Sequence, residues 1–277
     1  MKKFLKKSVL FVLLIVVFVE SISSILLYTD LYLKLNYPGY NIYNAIDKSK
    51  KKDKAKILLL GDSVGAQLFP NDNTYDGINS LACNQAIGVI GQFFLLKNYL
   101  EQGNDLDKVV VLFNPLSFLN NLDQIYTYHY FLKPFYQAEY TPLFTQTATK
   151  QVNKIPFNRL SQIPHVKITG WAPEIELEKK NYTFLSPISV EYLAKIKALS
   201  KKYSFDIEIM STPTSTELKT QIDQMDLTEI RENNLQDEFN NYFKNMVYVD
   251  SREFVDGIHF YKPSKYVDSV KRDILSL

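Results

Sequence analysis

The chain has 277 residues and a formal net charge of +2, with 32 Lys and Arg set against 30 Asp and Glu. So even a balance excludes an ordinary nucleic-acid binder, which meets phosphate with a basic excess or a basic stripe. The length suffices for one sizeable core, as one large domain or two small ones, and a single cysteine, Cys83, excludes an intrachain disulfide.

The N-terminus carries four lysines within residues 2–7, and residues 8–19 are then almost wholly aliphatic or aromatic. Glu20 interrupts the run and residues 22–28 extend it, giving about 20 apolar positions, enough to cross a bilayer as a helix. The lysines stay on the cytoplasmic side, so the bulk of the chain is expected across the membrane, on the periplasmic or cell-surface side. A cleaved signal peptide is the competing reading. It lacks an Ala-x-Ala-like site, for which Ser21, Ser23 and Ser24 are a poor substitute. Residues 1–28 therefore read as a membrane anchor and 29–55 as a juxtamembrane linker. Within these, Tyr28, Tyr32, Tyr37, Tyr40 and Tyr43 suit either the head-group region or a segment folded onto the following domain. The basic run over 48–56 reads as solvated chain entering the first strand, with anionic lipid or glycan phosphate as an alternative contact.

Residues 56–277 alternate strand and helix patterns. Ile57, Leu58, Leu59 and Leu60 form an apolar run that ends in Gly61-Asp62-Ser63, the pattern of a buried parallel strand closed by a tight turn. A helix is predicted over 89–100, a strand over 108–113, and a helix from Pro187 with Ile188, Tyr192, Ile196 and Leu199 on one side. A strand over 205–210, a long helix over 228–243, a strand over 246–249 and a helix opened by Pro263 complete the order. Such alternation makes an α/β protein with a parallel, doubly wound sheet, whose right-handed crossovers bring all strand ends to one rim. Residues 117–185 break the alternation and are rich in rings, among them Tyr126, Tyr128, Tyr130, Phe131, Phe135, Tyr136, Tyr140 and Phe144. This insertion begins at the rim, so it reads as a cap or cleft wall. Its rings suit sugar stacking or the insertion's own small core.

Ser63, just past the first strand, stands where open α/β sheets meet their ligands, and is the candidate nucleophile. A serine needs a base, and the base needs an orienting acceptor. Of three histidines, His259 lies in Asp256-Gly257-Ile258-His259, where Asp256 can hold one ring nitrogen and leave the other for Ser63. The bland alternative is a capping aspartate and a surface histidine. His129 is a distant second candidate for the base. Cys83, in an apolar setting, reads as a packing residue. Paired Cys/His ligand spacing is missing, so no metal or other cofactor is expected.

With Gly61-Asp62-Ser63 after the first strand and Asp256-x-x-His259 after the last, the chain resembles the SGNH (GDSL-like) hydrolase superfamily. The resemblance implies a flavodoxin-like three-layer α/β/α fold and an oxyanion hole built from the serine amide, a glycine amide and an asparagine side chain. Asn114 stands in the asparagine's place, although Leu112 and Pro115 replace the outer members of the family's Gly-x-Asn-Asp. Gly88 is the expected glycine, with Gly91 the alternative. Close packing for either glycine, and a turn role for Asn114, stay open. The implied activity is that of a serine esterase or O-acyltransferase, and the anchored position favours an acylated carbohydrate of the cell envelope as substrate. A lipase or thioesterase acting on membrane lipid and a non-catalytic assembly module for envelope glycan are the rivals. Protein partners cannot be read from the residues.

Overall fold

The computed structural model describes residues 1–29, 31, 39–175 and 183–276. Helix α1, Lys2–Tyr28, is apolar on all sides and is the one described helix long and apolar enough to cross a membrane. Helix α2, Tyr40–Ser49, precedes β1, Ile57–Gly61, which passes through Asp62 into the short helix α3, Ser63–Leu68. Strand β2, Ile78–Ser80, leads to α4, Gly88–Glu101, and then to β3, Lys108–Phe113. The insertion supplies α5, Gln146–Lys154, and α6, Pro164–Ile168, among shorter turns. Helix α7, Pro187–Tyr203, starts where Ser186 accepts the Ser189 N–H, a side-chain cap that satisfies one of the free first-turn donors. Strands β4, Asp206–Ser211, and β5, Thr214–Ser215, are followed by α8, Gln236–Lys244, by β6, Tyr248–Val249, and by α9, Ser264–Ser276.

Four strands form one parallel sheet in the order β2-β1-β3-β4, with Leu59 level with both Ser80 and Val110. Because successive strand residues point to opposite faces, the aliphatic runs feed two cores. Leu58, Leu60, Val109, Val111 and Phe113 pack with α2, α4, α7 and α8, while Leu59, Val110 and Leu112 pack with Val64 and Leu68 of α3 and Val270 and Ile274 of α9. Helices therefore cover both faces, as the three-layer expectation requires. Full burial of each such side chain stabilises the fold by about 1.5–3 kcal/mol relative to exposure, which is why an unbroken Ile-Leu-Leu-Leu run is suited to the centre of the sheet.

Four expectations need correction. The segment 29–55 is not only a linker, since α2 lies within it and buries Ile42 and Ala45 completely. Tyr43 is partly buried there, Tyr28 is exposed, and Tyr32 and Tyr37 lie outside the described residues. Lys48 is not free in solvent either: its ammonium donates to the carbonyls of Asn71 and Ser80. The helix predicted over 228–243 is split into Thr228–Glu232 and α8, because Asn234 turns the chain with φ of 54°. The last strand is shorter than 246–249 and pairs with β5 rather than joining the main sheet.

The rings of the insertion are mostly core. Tyr128, Phe131, Phe135 and Tyr140 are buried in the same cluster as Phe94 of α4, with Phe94 and Tyr140 stacked at 5.1 Å. None of these four can lie against a sugar, whereas Tyr126 is half exposed.

Backbone packing at the end of β1 leaves no room for a side chain. A β-carbon on Gly61 would meet that of Ala82 at 2.7 Å, and one on Gly65 would meet the Leu112 carbonyl oxygen at 2.9 Å. Gly61→Ala is expected to cost about 1–3 kcal/mol through overpacking, seen as a lower urea midpoint with an unchanged slope.

Candidate active site

Ser63 occupies the first position of α3, directly after the N-capping residue Asp62. The Asp62 carboxylate is fully buried and accepts four hydrogen bonds. One oxygen takes the Val64 and Gly65 N–H groups at 2.9 Å each, and the other takes the Asn114 N–H at 2.6 Å and the Ser117 hydroxyl at 2.5 Å. Burial pushes this carboxyl above its ordinary range, against the pull of the same four donors. The effect is to lock the turn that presents Ser63 onto the loop that follows β3.

His259 and Asp256 sit on a tight reversal of the chain. Phe254 and Phe260 pair across it, Gly257 turns it with φ of 79°, and the Val255 N–H donates to the His259 carbonyl at 2.7 Å. The Phe254 and Phe260 rings stack at 4.8 Å, and Phe260 meets Tyr266 of α9 at 4.7 Å, which fixes the base of the loop in the second core. Gln67 of α3 accepts the Phe260 N–H at 2.9 Å and so ties the loop to the helix that carries Ser63.

These two anchorages bring the three side chains into line. The Ser63 hydroxyl lies 2.9 Å from His259 Nε2, and His259 Nδ1 lies 2.8 Å from an oxygen of Asp256. The other Asp256 oxygen accepts the Ile258 and His259 N–H groups. Burial raises the Asp256 carboxyl, but the bonds from the His259 and Ile258 amides and the imidazole outweigh it and hold the group at about 2. An ionised Asp256 fixes the tautomer with the proton on Nδ1, leaving Nε2 as the acceptor toward Ser63. His259 side-chain exposure is 32%, so the imidazole is reachable from solvent.

Asn114 is buried beside this group. Its side-chain oxygen accepts the Leu116 N–H at 3.1 Å, which is the turn role left open above, while its Nδ2 has no partner in the described structure. The Asn114 N–H bond to the Asp62 carboxylate ties it to the turn that presents Ser63. The Val64 and Gly65 N–H groups that follow Ser63 go to Asp62.

Gly88 is not placed as expected. Its N–H donates to the Gln85 carbonyl and it follows a further turn, at φ of 56° and ψ of −172°, a conformation open only to glycine. Gly91 is a packing glycine, because a β-carbon there would meet that of Ile87 at 2.5 Å. The Cys83 N–H bond to the Gly61 carbonyl, 3.0 Å, holds the segment after β2 against the turn that carries Ser63.

Other candidates lie elsewhere. His129 packs beside Tyr130 in the insertion, and burial together with nearby Lys133 lowers its basicity. Cys83 is fully buried, and burial pushes its thiol well up, as suits a packing residue. A cavity of about 450 Å³ opens at the edge of β4, lined by Glu208, Met210, Asn241, Tyr266 and Asp273, and the Ser63 group does not line it. Among the described residues no group of three or more His, Cys, Asp or Glu gathers as a metal site. Asp62 as a clamp, Ser117 and Gln67 escaped sequence reasoning. Only Asp62 carried a signal, inside the Gly-Asp-Ser triplet.

No family model and no curated protein matches the chain. It is similar to a GDSL-like lipase from Bacteroides thetaiotaomicron, at 12% identity and a TM-score of 0.36, covering 87% of this chain and 98% of the other. It is also similar to a protein assigned as an acylhydrolase from Bacteroides fragilis, at 9% identity and a TM-score of 0.38, covering 85% and 96%. A third structure, assigned as a platelet activating factor from Streptococcus pneumonia, has 14% identity and a TM-score of 0.37, covering 87% and 94%. At such distances the reading of the chain rests on its own residues.

Replacing Asp62 with Ala strands several buried donors at once, so a loss on the order of 3 kcal/mol or more is expected by chemical denaturation. Asp256 has a folded value below its unfolded one, so its contribution to stability is present above the unfolded value and is lost as pH falls through about 2. The difference in melting temperature between the parent and Asp256→Asn is expected to close as pH is lowered across that window.

Proposed function

We propose that the chain is a membrane-anchored serine esterase or O-acyltransferase of the SGNH (GDSL-like) type, its catalytic domain outside the cytoplasm. The observation that carries this reading is the unbroken line from the Ser63 hydroxyl through His259 to Asp256, with contacts of 2.9 and 2.8 Å.

In this mechanism His259 Nε2 takes the Ser63 proton as the serine oxygen attacks an ester carbonyl carbon. Asp256 holds the ring and balances the imidazolium. The negative charge that develops on the carbonyl oxygen is met by the Ser63 N–H and by Nδ2 of Asn114, a donor with no other partner. Collapse of the tetrahedral adduct breaks the bond to the alcohol, which leaves with the proton from His259, and the acyl group stays on Ser63. Water or a sugar hydroxyl then attacks the acyl-serine, again losing its proton to His259. The product is a free acid in the first case and a new ester in the second.

The anchored position of the domain favours O-acetyl groups on cell-envelope carbohydrate. The insertion's rings lend no support to that choice, since most of them are buried. The departure of Leu112 and Pro115 from the family's third block, together with the Gly88 N–H already bonded to Gln85, favours the rival of a non-catalytic module.

Turnover of p-nitrophenyl acetate by the full chain in detergent tests the assignment. Ser63→Ala and His259→Ala are expected to lower kcat by about a thousandfold or more, and Asn114→Ala by about 100–1,000-fold with KM little changed. Activity that survives Ser63→Ala excludes the triad, and silence in parent and variant alike supports the module. Because α2 belongs to the core, any anchor-free form must begin ahead of Tyr40.

A further inference from the structure

The insertion is fastened to the anchor helix. Helix α6 packs against α1, and Glu20 of α1 accepts the His165 N–H at 3.0 Å. Ser23, one turn further along the same face, is the buried residue of α1, while Phe4 through Phe18 present their large apolar side chains to the outside. A span of about 20 residues counted from Phe4 ends near residue 23, and one counted from Ser8 ends near residue 27. At 1.5 Å per residue, Glu20 then lies about 5–10 Å inside the outer edge of the hydrocarbon. Whatever is bonded to Glu20 is held at the same depth.

The surface around α6 suits that depth. The turn Asn158–Gln162 packs against α6, and beside it Phe157, Leu160 and Trp171 are exposed by 66%, 37% and 43%. Phe157 and Trp171 meet at 6.4 Å, and Trp171 stands edge-on to Tyr128 at 5.5 Å. Lys154 and Arg159, both exposed, flank the two apolar residues. Phe157 has φ of 52°, a left-handed conformation that is uncommon and strained for a bulky side chain. The Tyr128 hydroxyl donates to the Phe157 carbonyl at 3.3 Å and helps hold it there. Backbone strain is thus tolerated at a residue whose ring is turned out of the protein. Amphipathic rings with Lys and Arg beside them are the side chains that settle at the boundary between head groups and acyl chains.

We infer that the face of the insertion carrying Phe157, Leu160 and Trp171 is a second membrane contact, seated in the outer leaflet beside α1. The inference rests on the reading of α1 as a bilayer-spanning anchor. Two points of attachment prevent the domain from tumbling on a tether and give Ser63 a set height and orientation over the membrane.

Trp171 is the only tryptophan, so its fluorescence reports on this face alone. The full chain is reconstituted into phosphatidylcholine–phosphatidylglycerol vesicles and separated by flotation, and Trp171 is then challenged with lipid brominated high in the acyl chain and with aqueous iodide. At least twofold quenching by the brominated lipid, with little by iodide, is expected. Protein that floats with the vesicles while Trp171 is quenched by iodide and not by brominated lipid overturns the second contact and leaves the anchor standing. Protein that does not float overturns both. A double variant, Phe157→Asn with Leu160→Asn, should still float through α1 and lose at least half of the lipid quenching, whereas undiminished quenching would remove those residues from the contact. Asparagine accepts the left-handed backbone, so the melting temperature of the variant should not fall, which separates lost contact from lost fold.

Discussion

The arrangement depends on a buried carboxylate. Asp62 is surrounded by the ends of two adjacent parallel strands, and its four acceptor positions are filled by two amides of the helix it caps, one amide from the end of β3 and one hydroxyl beyond it. A charge in that position would be costly without partners, and with them it acts as a joint between the two loops. Ser63 and Asn114 are the residues immediately attached to that joint. Their relative position is therefore set by short bonds in a dry environment rather than by the wider packing of the sheet.

The other half of the group is held differently. Asp256 and His259 belong to a reversal pinned by aromatic stacking at its base and by one amide bond to Gln67. It stands at the surface, with its aspartate bonded to two amides and an imidazole in partial contact with solvent. Such a loop is easier to displace than the Asp62 joint. Its attachment to α3, the helix that begins with Ser63, means that a shift of the helix carries both partners together.

The insertion is joined to the rest of the fold on two sides. Its buried rings extend the core built on α4, and its outer face meets α1 through α6 and Glu20. Glu20 is the one charge within the apolar run, and its carboxylate takes a hydrogen bond from the insertion. The His165 amide supplies that bond and makes the interruption in the run a point of attachment.

The local pattern was sufficient for several features. An aliphatic run ending in Gly-Asp-Ser, and Asp-x-x-His after the last strand pattern, singled out Ser63, Asp256 and His259, and the fold brings those three side chains within hydrogen-bond reach of one another. Strand and helix alternation likewise carried the parallel sheet, since burial on both faces demands continuous apolar strands. Gly88 could not be judged in the same way. Whether an amide is free depends on what its neighbours accept, and the Gln85 carbonyl had already taken it. The same holds for Ser117 and Gln67, whose relevance comes from residues tens of positions away. The burial of Tyr128 and Phe135 and the capture of α2 by the core were also decided in three dimensions, because a ring or an apolar helix records what it needs to cover but not what will cover it. Sequence by itself determined which chemical groups and which periodicities the chain has, and tertiary structure decided which hydrogen-bond donors were left over, since that number depends on every contact made at once.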